Sequence, residues 1–419
     1  MSTVSPAPAG GPPPAEQHDP TASAVSLEAR DGRQTGLKAI FGGGEAASLR
    51  VLIVLALIWI VFTIANDRFL TAGNLTNLTL QVAATGTISV GVVLVLLLGE
   101  IDLSVGAVSG VAGSVVGVLS VQHDWNGWLA IIAALLVGAS IGLLQGSIVT
   151  WLGIPSFVIT LAGLLTWQGV QLKVLGEQGT INISDPIITN LANTFLAESV
   201  SWIVALAAIG LLVGGTLVGR RRRAAADLEL EPFIRLVVRL ASISVAILVA
   251  VYVVNQDRGV PVSLCILIGL VIIIDAVVTR TRYGRHVLAA GGNEEATRRA
   301  GIPTKRVKTI VFVLASTLAA AGGVLAASRL LAVNQSSGTG DVLLLAIAGP
   351  VIAGVSLFGG RGSVWAALLG ALVIGSISNG MDLLAFESSV KFIVTGAVLA
   401  GAVILDALAR KRRLSQGRS

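Results

Sequence analysis

The sequence predicts an all-α, polytopic membrane protein with about twelve transmembrane helices, within a range of ten to twelve, and with broken or re-entrant segments. Three observations predict this fold. Of the 419 residues, 54% are hydrophobic and only 12% are charged, whereas soluble domains carry about 25% charged residues. Apolar runs of roughly 20 residues, enough to cross ~30 Å of hydrocarbon, recur along the chain. Most cations fall in every second connection between these runs.

Residues 1–48 are predicted to form a disordered cytoplasmic tail. They are rich in Pro, Ala, Gly and Ser and show no hydrophobic period. A signal peptide is a poor alternative, because the first apolar run starts only near Leu49 and polar sequence precedes it. We assign residues 49–409 to one transmembrane domain and 410–419 to a basic cytoplasmic C-terminal tail.

Within the transmembrane domain, the weakest assignments concern two places. The runs 75–98 and 103–121 are separated only by residues 99–102, and the run 342–358 is short for a span. The twelve candidate spans are 49–65, 75–98, 103–121, 128–150, 155–173, 200–219, 233–254, 261–279, 309–330, 342–358, 363–381 and 389–408.

The distribution of cations sets the orientation of these spans. With the N-terminus in the cytoplasm, 24 of the 29 Lys and Arg residues fall in cytoplasmic segments. Cytoplasmic loops carry the excess of cations in membrane proteins, so both termini are predicted to be cytoplasmic. The net charge of +6 follows from this topology and does not indicate nucleic acid as a partner. The five cations left outside are Arg68, Lys173, Arg258, Arg329 and Lys391.

Residues 280–308 form a charged island between two apolar runs and contain the signals of a short helix. Asn293 is a candidate N-cap, acids occupy the first turn, bases occupy the last turn, and Gly301 ends it. The spacing favours the i,i+4 pairs Glu294/Arg298 and Glu295/Arg299. A helix of about eight residues is unstable alone in water, so we expect it to dock on a soluble partner. The candidate docking residues are Gly292, Asn293, Glu294, Glu295, Ala296, Arg298, Arg299 and Gly301.

A first polar break, residues 99–106, interrupts more than forty apolar residues. Its carboxylates, Glu100 and Asp102, are costly within a membrane unless they are solvated, paired or capping. One interpretation is a plain cytoplasmic turn in which Asp102 caps the next helix. The other is a broken helix that lines a pathway, with Ser104 and Gly106 beside the two acids. Both remain open from the residues alone.

A second break, residues 356–363, has a similar plan. Gly359, Gly360 and Gly362 surround Arg361, the single cation of that turn. A simple hairpin is one interpretation. The other is that Arg361 pairs with Glu100 or Asp102, which the topology places on the same side of the membrane.

Small residues and neutral loops supply two further indications. Glycines at spacing four allow close helix contacts, either within one subunit or at a dimer seam. The outer loops 174–199 and 334–341 are rich in hydroxyl and amide groups, which suit either a neutral polyol, a docking protein or plain solvation. The spaced glycines are Gly106/Gly110, Gly113/Gly117 and Gly138/Gly142/Gly146.

Catalytic or metal chemistry is not indicated by the sequence. Cys265 stands alone in an apolar run, and the three histidines lie in tail or loop positions. A G-x-x-x-x-G-K-[ST] phosphate loop is missing from the sequence. We therefore expect no enzyme activity and no cofactor bound by this chain.

Three ordered motifs resemble one family. Residues 99–110, GEIDLSVGAVSG, resemble the Gly-Gly-Ile-Asp-Leu-Ser-Val-Gly signature of permease subunits in the ribose/xylose branch of ABC sugar importers. Residues 284–302, GRHVLAAGGNEEATRRAGI, are similar to that family's coupling segment. Residues 356–375, SLFGGRGSVWAALLGALVIG, are similar to its C-terminal signature, and the resemblance covers roughly 49–408.

Within that family, the extra helical pair around 200–254 looks most like xylose-type permeases, since ribose-type members usually have ten spans. The sequence departs from the common signature at Glu100, where glycine is usual, and at Asp341-Val342, where ribose-type members tend to show Glu-Leu-Asp. The resemblance implies a homodimer of permeases, a cytoplasmic ATPase that carries ATP and Mg and binds 293–301, and an extracytoplasmic sugar-binding protein. The implied cargo is a monosaccharide such as xylose, moved across the cell membrane.

Two other classes of protein provide alternatives. A major-facilitator secondary sugar transporter also has twelve spans and a basic loop after the sixth. Against it, that superfamily has a basic, glycine-rich loop between spans two and three, where this chain has Glu100 and Asp102. An intramembrane enzyme or a scaffold is disfavoured because no membrane histidines or cysteine pairs are present.

Overall fold

The structure is a computed structural model that describes the backbone of residues 44–415 and the side chains of most residues from 51 to 407. The predicted tail 1–48 therefore lies outside the described residues except for its last five. The helices are α1 Gly44–Ala65, α2 Ala72–Leu97, α3 Val105–Gly117, α4 Gly127–Leu152, α5 Ser156–Leu175, α6 Pro186–Asn193, α7 Glu198–Ala225, α8 Phe233–Asn255, α9 Val262–Arg280, α10 Arg282–Gly292, α11 Glu294–Arg299, α12 Thr304–Leu330, α13 Asp341–Ile352, α14 Trp365–Leu383 and α15 Ser388–Ser415. The strands are β1 Thr180–Asn182 and β2 Ala332–Asn334.

The predicted all-α, polytopic fold is confirmed. Among the described residues, nine helical stretches are long and apolar enough to cross a membrane, and three shorter apolar helices bring the number to the twelve predicted runs. The described strands pair only with each other, in an antiparallel ribbon that aligns Ile181 with Val333. Helix α15 continues to Ser415, so the backbone of 410–415, within the predicted C-terminal tail, is helical. Residues 416–419 lie outside the described residues.

Helices α2 and α12 form the centre of the bundle. Almost nine tenths of the α2 span and two thirds of the α12 span are buried. Helix α12 packs mainly on α4, α2 and α3. Glycines allow the contact with α4, because a Cβ atom on Gly142 would lie 2.8 Å from Val313 Cα and one on Gly146 would lie 3.2 Å from Thr309 Cα. The spaced glycines thus make close contacts within the chain, as one of the two interpretations predicted.

The connection from α2 to α3 is not a simple hairpin. The chain leaves the helical path over residues 98–104, and Gly99 takes a φ of 75° that favours glycine. Helix α3, extended by a wider turn at Val118–Gln122, then packs on α12, α5 and α4 and makes few contacts with α2. The break therefore sends the chain into the interior of the bundle instead of back along the same helix.

Helix α13 covers only part of the predicted span 342–358. It has twelve residues, about 18 Å at 1.5 Å per residue, which is too short for ~30 Å of hydrocarbon. Residues 331–340, which precede it, are non-helical and include β2. Gly338 and Gly340 take φ values of 73° and 64°, so a helix cannot extend through them towards α12.

The α7–α8 hairpin lies at the periphery. Only 6% of each span is buried inside the structure, so its apolar surface suits lipid. Arg258, which follows α8, donates to Asn77 Oδ1 at the start of α2 at 2.8 Å. The start of α2 and the loop after α8 thus lie at one end of the bundle. We call the other end, where α2 finishes and residues 280–308 lie, the basic end.

Candidate coupling and translocation site

The charged island folds as two short helices, α10 and α11. Asn293 Oδ1 accepts from Ala296 N at 2.9 Å, so the predicted cap is confirmed. Helix α11 has six residues and stops before Gly301, whose φ is 82°. The Tyr283 hydroxyl on α10 donates to the Val307 carbonyl at 3.1 Å, and burial raises the pKa of that phenol. The island is therefore fastened to the start of α12.

The two acids of α11 have different partners. Glu295 pairs with Arg298 at 2.6 Å and with Arg299 at 3.0 Å, so the predicted Glu295/Arg299 pair is confirmed. Glu294 pairs instead with Lys308 Nζ at 2.7 Å, and the predicted Glu294/Arg298 pair is wrong. The reason is tertiary, because the second turn of α12 brings a cation against the N-terminus of α11, which local spacing cannot reveal.

Lys308 also reaches the first break. Its Nζ lies 2.6 Å from Glu100 Oε1, and the two side chains are only 12% and 17% exposed. The Glu295 pairs on α11 are at least half exposed and consequently weak. Lys308 therefore joins the start of α12, the acid of the break and the acid of α11. Sequence spacing does not single out Lys308, because it is the last of several cations in the island and closely follows Lys305 and Arg306.

The proposed pairing of Arg361 with Glu100 or Asp102 is wrong. Glu100 is bound by Lys308, and the Asp102 carboxylate accepts from Ser104. Arg361 is exposed in its turn, and among the described residues it forms no ion pair. Its backbone carbonyl accepts from Ser356 N at 3.1 Å, which closes the turn 356–361.

Three glycine-containing segments meet at the basic end, in what we call the glycine junction: Gly99 after α2, Gly291 and Gly292 at the end of α10, and Gly359 and Gly360 in the second break. Gly360 N donates to Leu97 O at 2.8 Å. A Cβ atom on Gly359 would lie 2.7 Å from Gly99 N, and one on Gly360 would lie 2.9 Å from Gly292 Cα.

A Cβ atom on Gly291 would overlap the Leu97 carbonyl oxygen. The backbones touch directly, without flexible side chains between α10 and the two breaks. Gly292, Gly359 and Gly360 are among the predicted site residues, whereas Gly291 and the contact itself were not predicted.

Asp102 lies in the interior and is not a solvated turn residue. It is 4% exposed, and its Oδ1 accepts from Ser104 N at 2.8 Å and from Ser104 Oγ at 2.7 Å. Ser104 Oγ lies 3.0 Å from the Gln145 side-chain oxygen. Gln145 stands seven residues before the end of α4, about 10 Å along the helix axis. The first break thus places a series of polar side chains inside the bundle.

A cavity of about 230 Å³ adjoins these polar side chains. Asp102 lines it together with apolar residues of α2, α13 and α15. Asp102 Oδ2 is buried and lacks a hydrogen-bond partner among the described residues. Gly106, the last predicted residue of the first break, packs against the Gly338 carbonyl, since a Cβ atom there would lie 2.6 Å from that oxygen.

Comparison with known proteins identifies the family. Residues 74–403 match the family described as branched-chain amino acid transport system / permease component. The chain is 35% identical over 379 residues to the xylose transport system permease protein of Escherichia coli (strain K12), covering 89% of this chain and 95% of that protein. It is 34% identical to the xylose transport system permease protein of Haemophilus influenzae over 86% of this chain and 96% of that protein.

The ribose import permease protein of Escherichia coli (strain K12) is 31% identical over 86% of this chain and 93% of its own length. No solved structure shows significant similarity to the chain. These matches set aside the secondary-transporter and enzyme alternatives and confirm the resemblance drawn from the three motifs. The chain belongs to this family of transport permeases, as a multi-pass membrane protein.

Proposed function

We propose that this chain is the membrane-spanning subunit of an ATP-driven importer of a monosaccharide, in the class of pentoses such as xylose. The names of its relatives support the sugar. One structural observation carries the mechanism: Lys308 and the glycine junction join a short exposed helix, α11, to two interrupted segments of the bundle. A bundle built this way converts displacement of one helix into movement of its interior.

In this proposal the basic end faces the cytoplasm, with both termini on that side of the cell membrane, as its excess of cations supports. A separate ATPase subunit, which binds ATP and Mg, docks on residues 292–301. Helix α11 suits docking because most of its side chains are exposed, and a six-residue helix gains stability from a partner. A second copy of the chain completes the pathway, surrounded by lipid, and an extracytoplasmic binding protein delivers the sugar.

The first break forms part of the pathway in the same proposal. Polar, irregular backbone inside a membrane protein is tolerated where protein or water satisfies it. Ser104 donates to Asp102 here, and its Oγ lies 3.0 Å from the Gln145 side-chain oxygen. In this proposal water in the pathway satisfies the buried Asp102 Oδ2, and Glu100 and Gly359–Gly362 form the end that α10 and α11 move. ATP-driven closure of the ATPase thereby shifts the bundle between inward-open and outward-open states.

Reconstituted transport tests the proposal. The chain is placed in liposomes with an ATPase and a sugar-binding protein from the same organism, and uptake of labelled D-xylose and of other pentoses and hexoses is measured. We expect uptake that requires ATP, stops with vanadate and survives a protonophore. Uptake that needs no ATPase and collapses with the protonophore would contradict the proposal.

Docking is tested by reversing both acids of α11. The double variant Glu294→Arg/Glu295→Arg should lose co-purification of the ATPase while the permease still inserts into the membrane. The control is Glu229→Arg, which changes an exposed acid in the loop between α7 and α8 at the same end. Normal ATPase recovery and full transport by the double variant would refute docking at α11.

A further inference from the structure

Residues 334–341 read NQSSGTGD and carry hydroxyl, amide and carboxylate groups with almost no apolar side chain. The chain here is irregular after β2, until α13 begins at Asp341. Gln171 on α5, which is 1% exposed, holds the segment by donating to Asn334 O at 3.0 Å and to Ser337 O at 2.8 Å. These hydrogen bonds hold the segment in a defined conformation against α5.

The segment runs inward along α3. Val333 packs on Gly117, Ser337 on Gly110 and Gly338 on Gly106. Gly106 lies eleven residues before Gly117, which is about 16 Å along the helix. Because these glycines lack side chains, the backbone of the segment packs closely along α3 and enters the bundle.

Helix α12 provides a second measure of depth. Ser109 of α3 packs against Gly323 of α12, which is fifteen residues, or about 22 Å, from Lys308 at the basic end. Gly106 lies one turn closer to the basic end than Ser109. With ~30 Å of hydrocarbon, the contact between Gly106 and Gly338 falls near the middle of the membrane.

The descending segment keeps an open face. Ser336, Gly340 and Asp341 are exposed, and Ser337, Gly338 and Thr339 are half-buried. Irregular polar backbone and a carboxylate at this depth cannot face lipid, so the open face meets water. The aromatic ring of Phe392 on α15 stands beside it, with Cζ 3.9 Å from where a Cβ on Gly340 would lie.

We propose that residues 336–341 form a re-entrant sugar-contacting segment, in which Ser336, Thr339 and Asp341 exchange hydrogen bonds with the hydroxyl groups of a passing monosaccharide near mid-membrane. Hydroxyls and a carboxylate exchange water for sugar hydroxyls without a large change in energy, as a transient contact requires. This inference rests on the proposed function and adds the place where the cargo touches this chain.

Cysteine accessibility tests whether the segment is exposed to water within the membrane. Cys265 is the single cysteine of the sequence, so Cys265→Ser provides the background for Ser336→Cys and Thr339→Cys. The control is Leu136→Cys, which is 61% exposed on α4 about 14 Å from its start. A charged, membrane-impermeant methanethiosulfonate should modify both test cysteines at least about tenfold faster than the control, because the reactive thiolate forms only in water.

The same vesicles distinguish the sugar pathway from a water-exposed surface outside that pathway. D-Xylose together with the binding protein, the ATPase and ATP should slow modification of Thr339→Cys. Slow modification at both test positions, or fast modification that turnover leaves unchanged, would overturn the inference. Wild-type uptake is measured in parallel, and its absence would count against the proposed function instead.

A second test uses the carboxylate. Asp341→Asn should reduce uptake at least about fivefold, the scale of one coupled interaction, while the ATPase still co-purifies and hydrolyses ATP. The control is Asp67→Asn. Asp67 is an exposed acid between α1 and α2, at the end of the bundle where β2 also lies. Equal uptake by the two variants would overturn the role of Asp341.

Discussion

At the scale of single residues, Asp102 is held by its neighbours and yet keeps one oxygen without a partner among the described residues. Burial of a charge is costly unless it is fully compensated. The two hydrogen bonds from Ser104 to Oδ1 offset only part of that cost. We therefore propose that the carboxylate serves transport.

Asp102→Asn separates these two roles. The amide oxygen can still accept from Ser104 N, and a neutral group is cheaper to bury, so thermal stability should be unchanged or higher. Uptake should fall at least about tenfold, the scale of a lost charge-assisted contact. Expression, melting temperature and uptake of labelled sugar are measured together. Unchanged transport kinetics would return the first break to a plain structural turn.

Lys308 gives a second residue-scale prediction. In Lys308→Met, Glu100 and Glu294 lose their shared cation, and sugar imported per ATP hydrolysed should fall at least about fivefold. Glu295→Gln is the matched control, because it breaks only the exposed pairs within α11.

The double variant Glu100→Gln/Lys308→Met removes the unpaired charge at Glu100 but does not restore the contact between Lys308 and the first break. It should remain uncoupled if Lys308 transmits movement. Full recovery of coupled transport would mean that the cation serves only to neutralise Glu100.

Residue-level prediction from the sequence worked where the cause is local. The Asn293 cap and the Glu295/Arg299 pair depend on neighbours within one turn, and both are present. The partner of Glu294 depends on a helix that begins ten residues later, and the partner of Glu100 is more than two hundred residues away. Sequence spacing contains no information on such contacts.

At the scale of elements, the contact of α4 with α12 depends on the absence of side chains on one face. Gly142→Leu should lower the free energy of unfolding by about 1–3 kcal/mol, the usual cost of overpacking. Gly169→Leu is the control, because nothing lies within 4 Å of the position where its Cβ would be. Thermal unfolding in detergent measures both, and equal melting temperatures would contradict the packing role.

Element boundaries were predictable only in part. Long apolar runs mark α2, α4 and α12 because a membrane span has a fixed minimum length. The same rule overestimates α13, since the apolar residues after Ile352 continue without helical hydrogen bonding past Gly354, whose φ is 94°. Hydropathy detects apolar surface and does not distinguish a full span from a half-span that meets a re-entrant segment.

At the scale of the whole molecule, the excess of cations at one end predicts the orientation in the membrane. In the Cys265→Ser background, Ala300→Cys should react with an impermeant thiol reagent only after the cells are opened. Ser388→Cys, at the other end of the bundle, should react in intact cells. Both positions are exposed, and cells without the ATPase subunit are used, so that docking on 292–301 does not shield Ala300. The reverse pattern would invert the topology and remove the docking proposal.

The peripheral position of the α7–α8 hairpin has a practical consequence. Residues 226–230, between these two helices, are exposed, and the hairpin meets the rest of the bundle chiefly where α8 packs on α2. Exposed connections of this kind tolerate inserted domains. A fluorescent protein spliced into this connection would tag the subunit for imaging while leaving the moving parts unmodified.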